Sequence, residues 1–346
     1  MAPTRNAAII FNELLVDGYP DPNKTVVYDA NRTIDLENVN LGGGVLVKIL
    51  YLSNDPFMRP KLSKPLNTGK WADDVFKLGE PLSNFGIGRV VRSEDAKFEV
   101  GDNVFGFFNF EEYVVVPAAR IQKIVNKAGI PLLAYLNGAG LIGKTAYYGY
   151  KEYVEERKGQ TIWISTGAGA VGSILIQLCK LGGLKVIGSA GSDEKVALMK
   201  ELGADVAFNY KTTNLDEFFA KEGPIDIYWD HVAGSSLDAA LAHINNGGRV
   251  VGCGAISGVN HGHEYPYKNI VNIVKRTLDV SGFSVLLPKL AERWEDSFER
   301  EVPILIAEGK IKTLEDFTPF EKTGEALLKI QKGENKGKSI IVVAEE

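Results

Sequence analysis

The sequence predicts an α/β protein of two domains. One is a doubly wound parallel sheet with helices on both faces, and the other is smaller and mainly β. Three observations carry this reading. At 346 residues the chain has the length of about two domains of roughly 150 residues. Its texture changes near Pro131, from short apolar runs broken by Gly, Pro, Asn and Asp to β-branched runs alternating with helical periodicity. A glycine-rich turn, within Ser165–Gln177, follows one of those runs and opens a helix.

Up to about Asn126 the runs VLVKILYL (Val45–Leu52), IGRVVRS (Ile87–Ser93), DNVFGFFNF (Asp102–Phe110) and EEYVVVP (Glu111–Pro117) read as short strands of a small antiparallel barrel or sandwich. Beyond Pro131, TIWIS (Thr161–Ser165) is a strand, and Val171, Ile174, Leu175, Leu178 and Leu181 then recur at helical spacing. LKVIGSA (Leu184–Ala190) is the next strand, and a helix over Asp193–Leu202 stops at Gly203. DVAFNY (Asp205–Tyr210), IDIYWD (Ile225–Asp230) and GGRVVGCG (Gly247–Gly254) follow with helices between them, and TLDVSGF (Thr277–Phe283) makes a sixth strand. Such alternation implies a parallel sheet covered on both faces. From about Glu301 the first texture returns, with a helix near Thr323–Lys332 and a strand at KSIIVVA (Lys338–Ala344). The expected domains are therefore residues 1–128 with 301–346, discontinuous, and residues 129–300.

Composition narrows the function. Lys and Arg number 39 against 44 acids, a net charge of −5, which excludes a broadly basic nucleic-acid surface or a polybasic membrane anchor. Hydrophobic residues at 45% and charged residues at 24% are ordinary for a soluble globular chain. Cys179 and Cys253, the only two cysteines, exclude a disulfide scaffold and a four-thiolate zinc site. The N-terminus does not read as a signal peptide, and Ile130–Gly143, the longest weakly polar stretch, is too short to span a bilayer. The expected setting is cytoplasmic, without nucleic-acid or membrane partners.

The sharpest motif is Gly167, Gly169 and Gly172, a G-x-G-x-x-G between strand and helix. The first glycine permits a tight turn, the second lets backbone approach a pyrophosphate, and the third lets helix pack on strand. The helix N-terminus offers free N–H groups and partial positive charge to phosphates. A glycine-rich turn without a ligand is the plainer alternative. The flanking strands favour dinucleotide binding and a Rossmann domain. An NAD site places Asp or Glu at the tip of the second strand, about 20 residues beyond the loop. Here that tip reads Ser189-Ala190-Gly191-Ser192, without an acid. Ser192 suits an N-cap, and Asp193 and Glu194 suit the first turn that follows. Lys195 is a cation in that turn, opposed to the helix dipole, and a nearby 2′-phosphate would account for it. NADP is therefore favoured over NAD.

With these residues in place the chain resembles a zinc-independent medium-chain dehydrogenase/reductase. More narrowly it resembles the NADP-dependent alkenal/enone double-bond reductases, the group of leukotriene B4 12-hydroxydehydrogenase/prostaglandin reductase and the plant alkenal reductases. The likeness rests on LSNDPFMR (Leu52–Arg59), FEEYVVVP (Phe110–Pro117), GKTAYYG (Gly143–Gly149), GAVG (Gly169–Gly172), GSAGSDEK (Gly188–Lys195), FNYK (Phe208–Lys211), CGAIS (Cys253–Ser257) and GENKGKSIIV (Gly333–Val342). It implies a GroES-like catalytic domain beside the Rossmann domain and NADP(H) in the cleft between them. It places Thr145 near the nicotinamide, Gly169, Ala170, Val171 and Gly172 at the pyrophosphate, and Ser192, Lys195 and Tyr210 around the 2′-phosphate and adenine ribose. Cys253 to Val259, with Ala255 and Ile256 among them, Phe283, Ser284, Val285 and Asn335 would line the nicotinamide half. For Phe283 and Val285 by themselves, plain core packing is the simpler reading.

The departures from the family are specific. Its Asp-Asn-Val is Asp230-His231-Val232 here, which alters a ribose contact. Its Tyr in D-P-Y-M-R is Phe57, the Trp before Glu-Glu-Tyr is Phe110, and the Met-Pro before Gly143 is Leu141-Ile142. The tyrosine usual two residues after the C-G-x-I-S serine, a substrate anchor or proton donor, is Val259, which leaves Tyr265 and Tyr267 as candidates. The family reaction sends hydride from NADPH to the β-carbon of an enal or enone, with charge building on the carbonyl oxygen and a proton reaching the α-carbon. With Val259 in place, the expected donor is the cofactor ribose hydroxyl, another side chain or water. Phe57, Phe85 and Tyr267 are the expected substrate pocket, and no metal is expected. Gly262-His263-Glu264 looks like the G-H-E of zinc alcohol dehydrogenases but lies far past that motif's place. It and a His261, His263 and Cys253 cluster read as a polar loop. The alternatives to enone reduction are a quinone or carbonyl reductase of the same superfamily, and a non-catalytic NADPH-binding homologue. The resemblance also implies a homodimer through an edge strand, Thr277–Phe283.

Overall fold

The computed structural model describes residues 3–64, 75–260, 262 and 264–346. It divides into two compact units, Met1–Leu136 with Glu315–Glu346, and Asn137–Leu314.

The first unit opens with two small ribbons. β1 (Thr4–Arg5) and β4 (Thr33–Ile34) pair antiparallel, as do β2 (Ala8–Phe11) and β3 (Val26–Asp29). The main sheet starts with β5 (Val45–Ser53), followed by the single turn α1 (Met58–Lys61), then β6 (Ser83–Ser93), β7 (Asn103–Asn109), β8 (Tyr113–Val116) and β9 (Ile121–Lys123). β5 is apolar at nearly every position because both its faces are covered. It pairs with β6 across two bulges and also with β8. One face carries the main core, with Val47, Leu52, Met58, Phe108 and Phe110. The other carries a smaller cluster of Leu50, Tyr51 and Ile87 under Leu136.

The second unit is a six-stranded parallel sheet of β10 (Thr161–Ile164), β11 (Lys185–Ala190), β12 (Val206–Asn209), β13 (Ile225–Asp230), β14 (Ile244–Gly252) and β15 (Asp279–Gly282), in the order β12-β11-β10-β13-β14-β15. Its helices are α2 (Leu141–Tyr153), α3 (Ala170–Leu181), α4 (Asp193–Glu201), α5 (Leu215–Glu222), α6 (Gly234–His243), the short α7 (Asn272–Lys275) and α8 (Pro288–Ala307). Adjacent strand residues point to opposite faces. Ile162, Ile164, Ile227, Trp229 and Val251 therefore pack with α2, α3 and α8. Their neighbours Trp163, Tyr228 and Val250 pack with Phe219 of α5 and Leu241 of α6. Trp163 is the hub of that second core: its ring lies 4.7 Å from Tyr228 and 5.1 Å from Phe219, and its N–H donates to Ser189 Oγ at 2.9 Å.

The returning segment adds β16 (Glu315–Pro319), α9 (Thr323–Gln331) and β17 (Lys338–Val342) to the first unit. β17 pairs antiparallel with β5 and parallel with β16, so the first sheet has one parallel pair. Lys338 is 1% exposed. Its ammonium pairs with buried Asp55 and donates to the Asn54 carbonyl at 3.2 Å. Ser53 and Asn84 donate to the other oxygen of Asp55, so the buried carboxylate is fully met.

Both expected boundaries, at 128/129 and 300/301, fall short of the observed ones. The turn Leu132–Leu136 packs into the first unit. At the other end α8 runs on through Pro303, a residue that ordinarily interrupts helices, and Val302 and Ile311 are core residues of the second unit.

Candidate functional site

The order of the second sheet reverses between β10 and β13, and an open parallel sheet binds ligands outside the carboxyl ends of its strands at such a point. The glycine loop leaves β10 there. Its tight turn is made by Thr166, which is left-handed at φ 52°, and not by Gly167 as the sequence suggests. Gly167 packs closely instead: a methyl group there would stand 2.5 Å from Met199 Sδ and would oblige that side chain to shift. Gly169 precedes α3 in extended conformation. Gly172 is the strictest of the three: a methyl would come within 2.4 Å of the Thr166 carbonyl oxygen, which is backbone and cannot yield. Ala170 and Val171 form the first turn of α3, with no side chain capping its N-terminus. That end keeps N–H groups for an anion.

At the tip of β11, Ser192 Oγ accepts from Lys195 N–H at 3.4 Å and caps α4. The Asp193 carboxylate accepts from Asn209 Nδ2 at 2.8 Å, which turns it toward β12. Tyr210 folds back so that its hydroxyl lies over Gly191, where a methyl would meet it at 2.9 Å. The Lys211 side chain comes almost equally close to Gly191, and Ser192 and part-buried Lys195 follow it at the start of α4.

At the end of β13, the Asp230 carboxylate accepts from Val232 N–H and Ala233 N–H, both at 2.8 Å, and from Tyr228 OH at 3.0 Å. Burial nevertheless holds its pKa above the usual range. His231 Nδ1 lies 2.6 Å from the Ser165 carbonyl oxygen, and the Trp229 indole N–H points at His231 Nε2 at 3.1 Å. A carbonyl only accepts and an indole only donates, so the ring is neutral with its proton on Nδ1. Desolvation pushes its pKa down to about 4. Both ring nitrogens are committed inside the protein, so the ribose contact expected of His231 has no ring nitrogen available to it.

The Cys253–Ser257 loop hangs on the same segment. Cys253 and Gly254 N–H donate to the Asp230 carbonyl, Ile256 to that of His231 and Ser257 to that of Val232. Ala255 is exposed at its apex, and burial pushes the Cys253 thiol up to about 12. Val259 follows this turn and carries no hydroxyl. Tyr267 OH accepts from Gly234 N–H at 3.0 Å, and the Tyr265 ring packs against Tyr267 at 4.9 Å. The Phe283 ring packs 5.6 Å from Trp229, and Val285 lies against the same core. Ser284 Oγ accepts from Leu286 N–H. Thr145 Oγ1 donates to the Leu141 carbonyl within α2. That helix is held to α8 by Lys144 and Tyr148 on Glu295 and by Tyr147 on Glu301 at 2.6 Å.

In the first unit, Asn335 donates to the Gly337 carbonyl at 2.9 Å. Phe57 is exposed before α1. Phe85 stacks on Phe105 at 5.6 Å and meets Phe107 edge-on at 5.4 Å. His261 and His263 lie outside the described residues. Among the described residues no group of three or more His, Cys, Asp or Glu could hold a metal ion. Nor, among the described residues, is any helix long and apolar enough to cross a membrane. The sequence reading missed Ser165 and Trp229 as site residues. Their only signal was position, Ser165 just past β10 and Trp229 at the last rung of that strand's pairing with β13.

Comparison with known proteins matches residues 170–300 to a family described as zinc-binding dehydrogenase and residues 29–124 to the N-terminal domain of oxidoreductase. With the relatives below, the reversed parallel sheet and its glycine loop define the class: the chain belongs to the medium-chain dehydrogenase/reductase family. Among its relatives is the NADP(+)-dependent 2-alkenal reductase of Nicotiana tabacum, 36% identical with 96% of each chain covered. Prostaglandin reductase 1 of Sus scrofa is 33% identical, covering 94% of this chain and 95% of its own. The crystal structure of CurA from Vibrio vulnificus in complex with NADPH superposes with a TM-score of 0.85, at 25% identity, over 98% of this chain and all of that one.

Proposed function

We propose that this protein is an NADPH-dependent reductase of the C=C bond of α,β-unsaturated aldehydes and ketones. The observation that carries the cofactor choice is the tip of β11, where Tyr210 and Lys211 close on Gly191, Ser192 and Lys195 begin the next helix, and the Asp193 carboxylate is engaged by Asn209. Charge-assisted contacts suit a 2′-phosphate there, whereas a ribose diol would want a carboxylate. The relatives named as an alkenal reductase and a prostaglandin reductase support the substrate class.

When bound, NADPH supplies the hydride for the substrate β-carbon. The Gly169–Gly172 segment and the open end of α3 would hold the pyrophosphate, Thr145 would border the nicotinamide, and the Cys253–Ile256 loop, Phe283, Ser284 and Val285 would line that half. The enolate oxygen needs hydrogen-bond donors and the α-carbon a proton. Val259 supplies neither. Tyr267 and Tyr265 are the side-chain candidates beside water and ribose hydroxyl. The test offers NADPH or NADH with a panel of enals, enones and quinones and identifies the product. The saturated carbonyl formed with NADPH is the expected result. An allylic alcohol, a hydroquinone alone, or binding without turnover would replace this reading with a carbonyl reductase, a quinone reductase or a non-catalytic binding protein.

The proposal extends to a homodimer joined at β15, the terminal strand of its sheet, beside which Val274, Val280, Leu286 and Leu287 are exposed. It also extends to a cytosolic setting, consistent with two unpaired cysteines.

A further inference from the structure

The parallel ladder between β10 and β13 has its last rung at Ile164 and Trp229. One backbone bond follows it, from Ser165 N–H to the Trp229 carbonyl at 3.1 Å, and the chains then part, one into the glycine loop and the other into the segment that carries the Cys253–Ser257 loop. Side chains continue the pairing across this gap. Ser165 Oγ donates to the Trp229 carbonyl at 3.1 Å and accepts from His231 N–H at 2.9 Å. The His231 ring joins the Ser165 carbonyl to the Trp229 indole. Trp229 anchors the set: it is fully buried, and a methyl on Gly149 would stand 2.3 Å from its Cη2 atom. The His231 carbonyl in turn accepts from Ile256 N–H.

We infer that His231 is a positioning residue for the dinucleotide, a neutral imidazole strut that fixes the spacing between the glycine loop and the Cys253–Ser257 loop. The inference rests on the reading of this crevice as the NADPH site. A histidine here replaces a direct ligand contact by a brace, and its worth to binding comes from preorganisation.

NADPH affinity of wild type, His231→Phe, His231→Asn and Trp229→Phe is measured by fluorescence of the bound nicotinamide, with Gly172→Val as control. His231→Phe loses both ring hydrogen bonds and is expected to raise Kd about tenfold. At saturating NADPH its kcat is expected to fall less than about threefold, so the loss appears in KM. His231→Asn keeps an amide donor for the Ser165 carbonyl and is expected to lose less than about threefold in affinity, with Trp229→Phe between the two. In the protein without cofactor, nitrogen NMR of His231 is expected to show a protonated Nδ1 and a bare Nε2 at neutral pH. That measurement needs no variant to fold. Wild-type affinity in His231→Phe, or an Nε2–H tautomer, overturns the strut. Undiminished binding by Gly172→Val overturns the site reading instead.

Discussion

Lys195 tests cofactor choice at the level of one side chain. Replacing it with Ala should raise KM for NADPH about tenfold and leave KM for NADH nearly unchanged, because only the 2′-phosphate would be answered by the ammonium. Steady-state kinetics with both cofactors decides it, and equal losses would remove Lys195 from the phosphate. His231 gives a second prediction, in stability. Its folded pKa of about 4 lies below the 6.5 of an open chain, so between those values the unfolded state binds more protons. Stability is full above about pH 6.5 and declines as pH falls toward 4, by at most about 3 kcal/mol for this part-buried ring. His231→Asn should flatten that part of the profile in urea unfolding, and an unchanged slope would contradict it. The glycines were legible because a missing side chain is written in the sequence. The left-handed turn at Thr166 was not, since threonine gives no sign of it. Nor was the His231 strut, because Ser165 lies 66 residues away and no local spacing joins them.

Single elements show the same division. The first four strands of the second unit were legible to within a residue at each end, because a strand covered on both faces is rich in apolar side chains, whereas β14 begins at Ile244, three residues before the expected Gly247, and β15 is shorter than Thr277–Phe283. The helix α8 was not legible, and the boundary expected at 300/301 falls inside it. Only the packing of Val302 and Ile311 shows the helix to be continuous with the core. The strength of the second core can be measured directly. Trp163→Ala removes a buried ring in contact with Phe208, Phe219 and Tyr228, and should cost about 3–5 kcal/mol in denaturant unfolding. A loss under about 1 kcal/mol would mean that α5 and α6 hold to the sheet without it.

For the whole molecule, the proposed association is the property to test. Val280→Lys places a charge on the outer strand β15 without touching either core and should shift sedimentation from dimer to monomer. A monomeric wild type, or a variant still dimeric, would locate association elsewhere or exclude it. Two domains and the return of the tail were legible at this scale, because β-rich texture brackets the alternating middle. The partners of β17 were not, since nothing local in KSIIV names β5.

That return has a consequence for biosynthesis. The first unit cannot close until β17 has been made. Until then β5 lacks its β17 neighbour, and the Asp55 carboxylate lacks the ammonium of Lys338. Residues 137–314 reach completion first and can fold while the N-terminal sheet still waits with an open edge. A nascent chain stalled before Gly337 should therefore hold a protease-resistant second unit beside a cleavable first one, and that waiting sheet is where a chaperone would be most needed.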